Sequence, residues 1–145
     1  MASASAPSHA SIPSAAPAVP AAATSAITWF EIPCADLDRA QAFYEQVLGR
    51  PMHRQTFGGG EPLAVFAYDR PATGGCLIEG RQVAPDAGTR IYLDCTPGLD
   101  AAVSRIAAAG GRVIDACIEL PNGIGFIANV CDTEGNTVGL HAMAR

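Results

Sequence analysis

The sequence predicts an α+β domain built from two β-α-β-β-β modules. Three observations predict it: a strand, turn and helix at 27–49; a second copy of that unit further along; and short strand-like runs split by turn signals after each helix. Ile27 to Pro33 mixes β-branched and aromatic residues, and Trp29, Glu31 and Pro33 alternate onto one face. Asp36 suits the N-cap, where its carboxylate accepts from the free backbone N–H groups of the first turn. Leu37, Ala40, Phe43, Tyr44, Val47 and Leu48 recur at helical spacing, and Gly49 suits the left-handed position that ends a helix. One strand and one helix cannot bury that stripe, so the chain must supply a partner.

The partner is a duplicate. Leu99 and Asp100 repeat Leu37 and Asp38, and Gly111 and Arg112 repeat Gly49 and Arg50, at a constant offset of 62 residues. Asp132 and Leu140 repeat Asp69 and Leu77 at an offset of 63. Solenoid repeats are shorter, so two units of this length mean paired modules. In the first module, Pro51 to Phe57 is predicted as a strand, Gly58 to Pro62 as a loop that can act as a lid, and Leu63 to Tyr68 and Gly75 to Ile78 as two further strands. No helix opens after the three glycines and no Lys follows them, which excludes a phosphate cradle. Gln82 to Gly88 reads as the linker, giving modules of about 27–80 and 88–145. The second module then runs through Thr89 to Cys95, a helix over Leu99 to Ala109, Arg112 to Leu120, a Pro121-Asn122-Gly123 turn, Gly125 to Val130, a turn at Asp132 to Asn136, and Thr137 to Ala142.

The string WFEIPCADLDRAQAFYEQVLG, its duplicate, and the ending DTEGNTVGLH resemble the vicinal oxygen chelate superfamily of glyoxalases, bleomycin-resistance proteins and extradiol dioxygenases. The resemblance spans Ile27 to about Met143. It implies that each βαβββ module is a half-barrel, that the pair encloses a cleft, and that the protein is a homodimer. It implies less about chemistry, because one fold hosts many functions.

Composition narrows the rest. Residues 1–26 are almost wholly Ala, Ser and Pro, too poor in large apolar groups to offset the entropy of ordering, and read as a disordered tail. With no Lys or Arg before Arg39, and four prolines interrupting any apolar stretch, the tail argues against a signal peptide, although small residues at Ala21 to Ala26 resemble a cleavage site. No apolar run is long enough to span a bilayer. The formal net charge is −5 with no basic cluster, which argues against nucleic acid as a partner. Five cysteines, Cys34, Cys76, Cys95, Cys117 and Cys131, form no CxxC pair and suggest reduced thiols in the cytoplasm. Cys95, Cys117 and Cys131 lie in apolar runs and read as small core residues.

Metal-using members of the superfamily draw four ligands from the first and last strands of the two modules. Carried over from the resemblance, those positions fall on Trp29, Cys76, Ile91 and Gly139. Indole offers no lone pair, Ile is hydrocarbon, Gly has no side chain, and one thiol does not make a divalent site. No cofactor is expected. The four positions then read as a ligand-binding surface, with Trp29 suited equally to stacking on a ring and to plain core. Period two puts Glu31 on the face of Trp29 and His141 on the face of Gly139. If both strands line one concave sheet, Glu31 and His141 form a candidate acid/base pair, or satisfy each other at a wet edge. Cys76 is a nucleophile only if His141 lowers its pKa; buried inert thiols are commoner. Phe43 and Tyr44 read as core, Tyr68 and Tyr92 stay undecided, His53 reads as solvated, and His9 belongs to the tail. Three functions follow: a metal-free small-molecule binder, a metal-free lyase or isomerase using Glu31 and His141, and a metal-dependent glyoxalase-like lyase or dioxygenase with its ligands elsewhere.

Overall fold

Asp36 caps the first helix as its position requires, its Oδ1 accepting from the Arg39 backbone N–H at 2.9 Å. Helix α1 then runs Leu37–Leu48 and ends at Gly49, whose φ of 66° is the left-handed conformation that glycine adopts without strain. Leu37, Ala40, Phe43, Tyr44 and Val47 are buried, so the helical stripe is the core face. The computed structural model describes residues 29–57, 60–70, 72–80, 84 and 89–145. The 1–26 tail, Gly58 and Gly59 of the glycine loop and, apart from Ala84, the 82–88 linker lie outside the described residues.

The first module contributes β1 (Trp29–Cys34), β2 (Met52–Phe57), β3 (Glu61–Phe66) and β4 (Gly74–Glu79) to one mixed sheet, in the order β1-β4-β3-β2. The second repeats it with β5 (Tyr92–Asp94), α2 (Leu99–Arg105), β6 (Arg112–Glu119), β7 (Phe126–Cys131) and β8 (Thr137–Ala142), in the order β5-β8-β7-β6. Parallel β1–β4 and β5–β8 pairs flank antiparallel hairpins, the α+β paired half-barrel arrangement. Pro62 is tolerated in an interior strand because β4 pairs only with Leu63 to Val65 and leaves Pro62 a single neighbour, Thr56 of β2. Two elements are shorter than the sequence predicts by several residues. The β5 ladder begins at Tyr92, and α2 closes at Ile106, whose N–H turns back to Val103 in a tight last turn.

One core serves both modules: Ile32, Phe43, Tyr44 and Leu77 pack in the same cluster as Leu93, Leu99, Ile106 and Leu140. Module 2 also grips α1 at both ends. At the N-terminus the Glu134 carboxylate accepts from the Ala35 and Asp36 backbone N–H groups (2.8 and 3.1 Å) and from Arg39 Nε and Nη2 (2.6 and 3.0 Å). Burial pushes Glu134 up, but the Arg39 hydrogen bond and the two backbone donors outweigh it and hold the carboxyl below the usual range. Beside it, Asp132 accepts from the buried Tyr44 hydroxyl at 2.8 Å, and Asn136 Nδ2 donates to the Pro33 carbonyl at 2.8 Å. At the C-terminus Arg105 of α2 donates to the Val47 carbonyl, satisfying an orphan acceptor of α1. These contacts fix one sheet relative to the other.

Candidate functional site

With the helices and one face of each sheet committed to the core, the other faces are left to carry function. On β1 and β4, Glu31 lies opposite Cys76 and Trp29 opposite Gly74. The Trp29 ring stands edge-on to Tyr68, centroids 6.1 Å apart. Gly74 makes room for this pair, since a Cβ there would lie 2.5 Å from Tyr68 Cε1 and 2.8 Å from Trp29 Cζ3. Trp29 remains 40% exposed and is not core. Leu63, Val65 and Ile78 complete an apolar patch around Cys76. Burial pushes the Cys76 thiol up, the Glu31 carboxylate adds to that, and the Trp29 hydrogen bond opposes it. Cys76 is therefore a neutral thiol at physiological pH, poorly suited to attack or to bind metal. Glu31 is exposed and makes no hydrogen bond or ion pair among the described residues.

His141 and Gly139 belong to β8 in the second sheet. Gly139 lies opposite Tyr92, whose ring occupies the space a side chain at 139 would need. His141 lies opposite Asp94, and its Nε2 is 2.8 Å from the Ile124 carbonyl. A carbonyl only accepts, so Nε2 carries the hydrogen. Asp94 is held by the Thr96 hydroxyl (2.6 Å) and Arg50 (2.8 Å). Burial pushes its carboxyl up, but those two partners prevail and keep it low. Ile91 is half-buried against the core, and its carbonyl accepts from the Gly139 N–H at 2.8 Å.

The structure thus brings Trp29, Glu31 and Cys76 together on one sheet, and Ile91, Gly139 and His141 together on the other. β1 and β8 do not share a sheet, and among the described residues no hydrogen bond or ion pair joins Glu31 to His141. Between the modules runs an open groove of about 1120 Å³, lined by Phe30, Gly75, Tyr68, Arg90, Ile91 and Tyr92 among others. Of the sequence-predicted site residues only Ile91 lines it. The four positions carried over for a metal are poor in donors. Trp29, Ile91 and Gly139 supply no side-chain lone pair, Tyr92 covers Gly139, and among the described residues no group of three His, Cys, Asp or Glu could hold an ion.

Residues 26–59 match the family model described as bleomycin resistance protein-like N-terminal. The fold superimposes on a glyoxalase/bleomycin resistance protein from Streptomyces sp. CB03234 with a TM-score of 0.60 and 26% identity, covering 79% of this chain and 98% of that one. In its fold and in these matches the chain resembles the vicinal oxygen chelate superfamily. A mutant of glyoxalase I from Zea mays shows the same fold at 20% identity and TM-score 0.60, over 79% of this chain and 45% of that one. So does the fosfomycin resistance protein FosX from Listeria monocytogenes, at 18% identity and TM-score 0.59, over 81% and 91%. CFP32 of Mycobacterium tuberculosis, whose name assigns it provisionally to the glyoxylases, is 29% identical over 112 residues, 77% of this chain. The chain spans 42% of the length of that relative. Within this superfamily the fold covers glyoxalase and antibiotic-resistance names alike, so the side chains on the two open faces must decide the function.

Proposed function

We propose that this vicinal oxygen chelate protein binds a small organic molecule in its cleft without the superfamily's metal. The observation that carries the reading is the residue set at the four ligand positions: Trp29, Cys76, Ile91 and Gly139 replace donors with an aromatic ring, a buried neutral thiol, a hydrocarbon and a ring-covered glycine. These positions bear on the metal; the groove between the modules, which Ile91 alone of the four lines, supplies the concave site with apolar and polar groups that suits a small molecule. A homodimer is the assembly we favour, because each sheet leaves an aromatic face open, with Trp29 on one and Tyr92 on the other. Five free cysteines agree with a cytoplasmic setting; among the described residues no helix is long and apolar enough to cross a membrane. A thermal-shift screen of small organic molecules, run beside divalent metals, tests the reading. Stabilisation by organic ligands and not by metals supports it; the reverse pattern returns the protein to metal-dependent glyoxalase-like or dioxygenase chemistry.

One observation favours a second reading, a metal-free lyase or isomerase. Glu31 is exposed and has no hydrogen-bond or ion-pair partner among the described residues, so its carboxylate can act as a base. Its partner His141 stands on the other sheet, so the pair requires a ligand, or a second copy of the chain, to bridge the two faces. Turnover that falls about a hundredfold or more in both Glu31→Gln and His141→Ala would establish it, since general acid–base groups contribute on that order. Ligand binding without turnover leaves the binder.

A further inference from the structure

One row of residues crosses the open face of the second sheet: Asp115 of β6, Asn129 of β7, Gly139 of β8 and Tyr92 of β5, each opposite the next. Asn129 is 5% exposed, and its Nδ2 donates to Asp115 Oδ2 at 2.8 Å. Its Oδ1 is closed to solvent and has no hydrogen-bond partner among the described residues. Buried polar atoms are nearly always paired, so an empty acceptor of this kind costs free energy until a donor fills it. One amide hydrogen is given to Asp115, which leaves one N–H donor along the row against two acceptors with no partner among the described residues, Asn129 Oδ1 and Asp115 Oδ1, so acceptor capacity is in excess. Gly139 adds no side chain, and the Tyr92 ring resting on it is 48% exposed.

We propose that this row is a binding site for a primary ammonium or guanidinium group carried on an apolar body. It rests on the small-molecule reading above and names the ligand's chemistry. N–H donors fill Asn129 Oδ1 and Asp115, the Asp115 charge balances the cation, and the Tyr92 face attracts it. In the adjacent row, Ile127 and the exposed Ile118 lie on either side of a β-ladder and offer the apolar body a surface. The other polar groups of that row are already engaged, Asp94 with Arg50 and His141 with the Ile124 carbonyl. Arg112, opposite Cys131 one row away, is the nearby cation on the ladder and opposes the ligand.

Amide NMR titrations of the full chain with benzylamine, benzyltrimethylammonium and benzoate test the site. Benzylamine should move the Asn129 side-chain amide and the Gly139 backbone resonance. Benzyltrimethylammonium, with the same charge and no N–H, should bind about tenfold more weakly or worse, and benzoate more weakly still. Asn129→Ala and Asp115→Asn should each weaken benzylamine by about tenfold, and Arg112→Gln should tighten it. Asp115 is exposed on an edge strand, so its variant keeps the test valid even if Asn129→Ala fails to fold. An unchanged affinity in Asp115→Asn overturns the proposal. So does benzoate binding as tightly as benzylamine at the same resonances, which would still leave a small-molecule site on this face. No shift with any of the three probes overturns the proposal alone, and the small-molecule reading then rests on the thermal-shift screen.

Discussion

Replacing Glu134 with Gln removes the charge that ties module 2 to the start of α1 while preserving size. The Glu134 side chain has no exposure, and it accepts from two backbone N–H groups and twice from Arg39. Gln keeps one acceptor oxygen but turns an NH₂ group toward donors. Hydrogen bonds to charged groups contribute about 1.5–3 kcal/mol each, and breaking a buried pair costs about 3–5 kcal/mol. Arg39 is half exposed and recovers water, so solvent screening places the loss near the lower end, about 3 kcal/mol. For a domain of this size each kcal/mol moves the melting temperature by roughly 3–5 °C, which predicts a drop of about 10 °C by calorimetry. The control is Asp38→Asn, which breaks the pair between Arg54 and the 91% exposed Asp38 and should cost under about 1 kcal/mol. The sign with pH is fixed as well. A carboxyl held below its usual range stabilises the fold above that range and loses the contribution as pH falls through its folded value. The parent should therefore lose stability on acidification, and the gap between it and Glu134→Gln should narrow. A variant melting within about 3 °C of the parent at neutral pH would refute the clamp.

Two further predictions concern packing and thiols. Gly111→Ala should destabilise by about 1–3 kcal/mol, because a Cβ there would lie 2.5 Å from the buried Phe43 ring and 2.8 Å from the Cys131 carbonyl, whereas the three atoms nearest a Cβ at Gly139 all belong to the half-exposed Tyr92 ring, so Gly139→Ala should cost less; denaturant melts compare them. Iodoacetamide at neutral pH should modify Cys117 and Cys131 before the buried Cys34, Cys76 and Cys95, since burial pushes all three thiols up, Cys34 to about 11; peptide mass spectrometry reads the order.

What the sequence made legible is local or repeated. The Asp36 cap, the apolar stripe and the Gly49 stop of α1 all follow from neighbours within a few residues, and the two offsets carry the pairing of modules. Thr137 to Ala142 needed only its alternation and its bounding turn, and forms β8 with those bounds. Long-range polar contacts were out of reach. Asp132 to Asn136 reads as a turn, yet Asp132 meets Tyr44 across 88 residues and Asn136 meets Pro33 across 103. A tyrosine on the buried stripe was the available signal, because a buried hydroxyl needs a partner. Period two put Glu31 on the face of Trp29 and His141 on the face of Gly139. Periodicity specifies a face and not a sheet, so it left undetermined that β1 and β8 lie in different sheets. The Asp115–Asn129 pair escaped for a related reason: irregular register along β6 breaks the alternation that would have aligned the two.

The most direct test of metal-free binding is elemental analysis of the purified protein after gel filtration in buffer without chelator. Metal-free binding predicts Ni, Zn, Fe and Mn far below one per chain, unchanged in Cys76→Ala and His141→Ala. One equivalent of any of them, lost on either substitution, would contradict it.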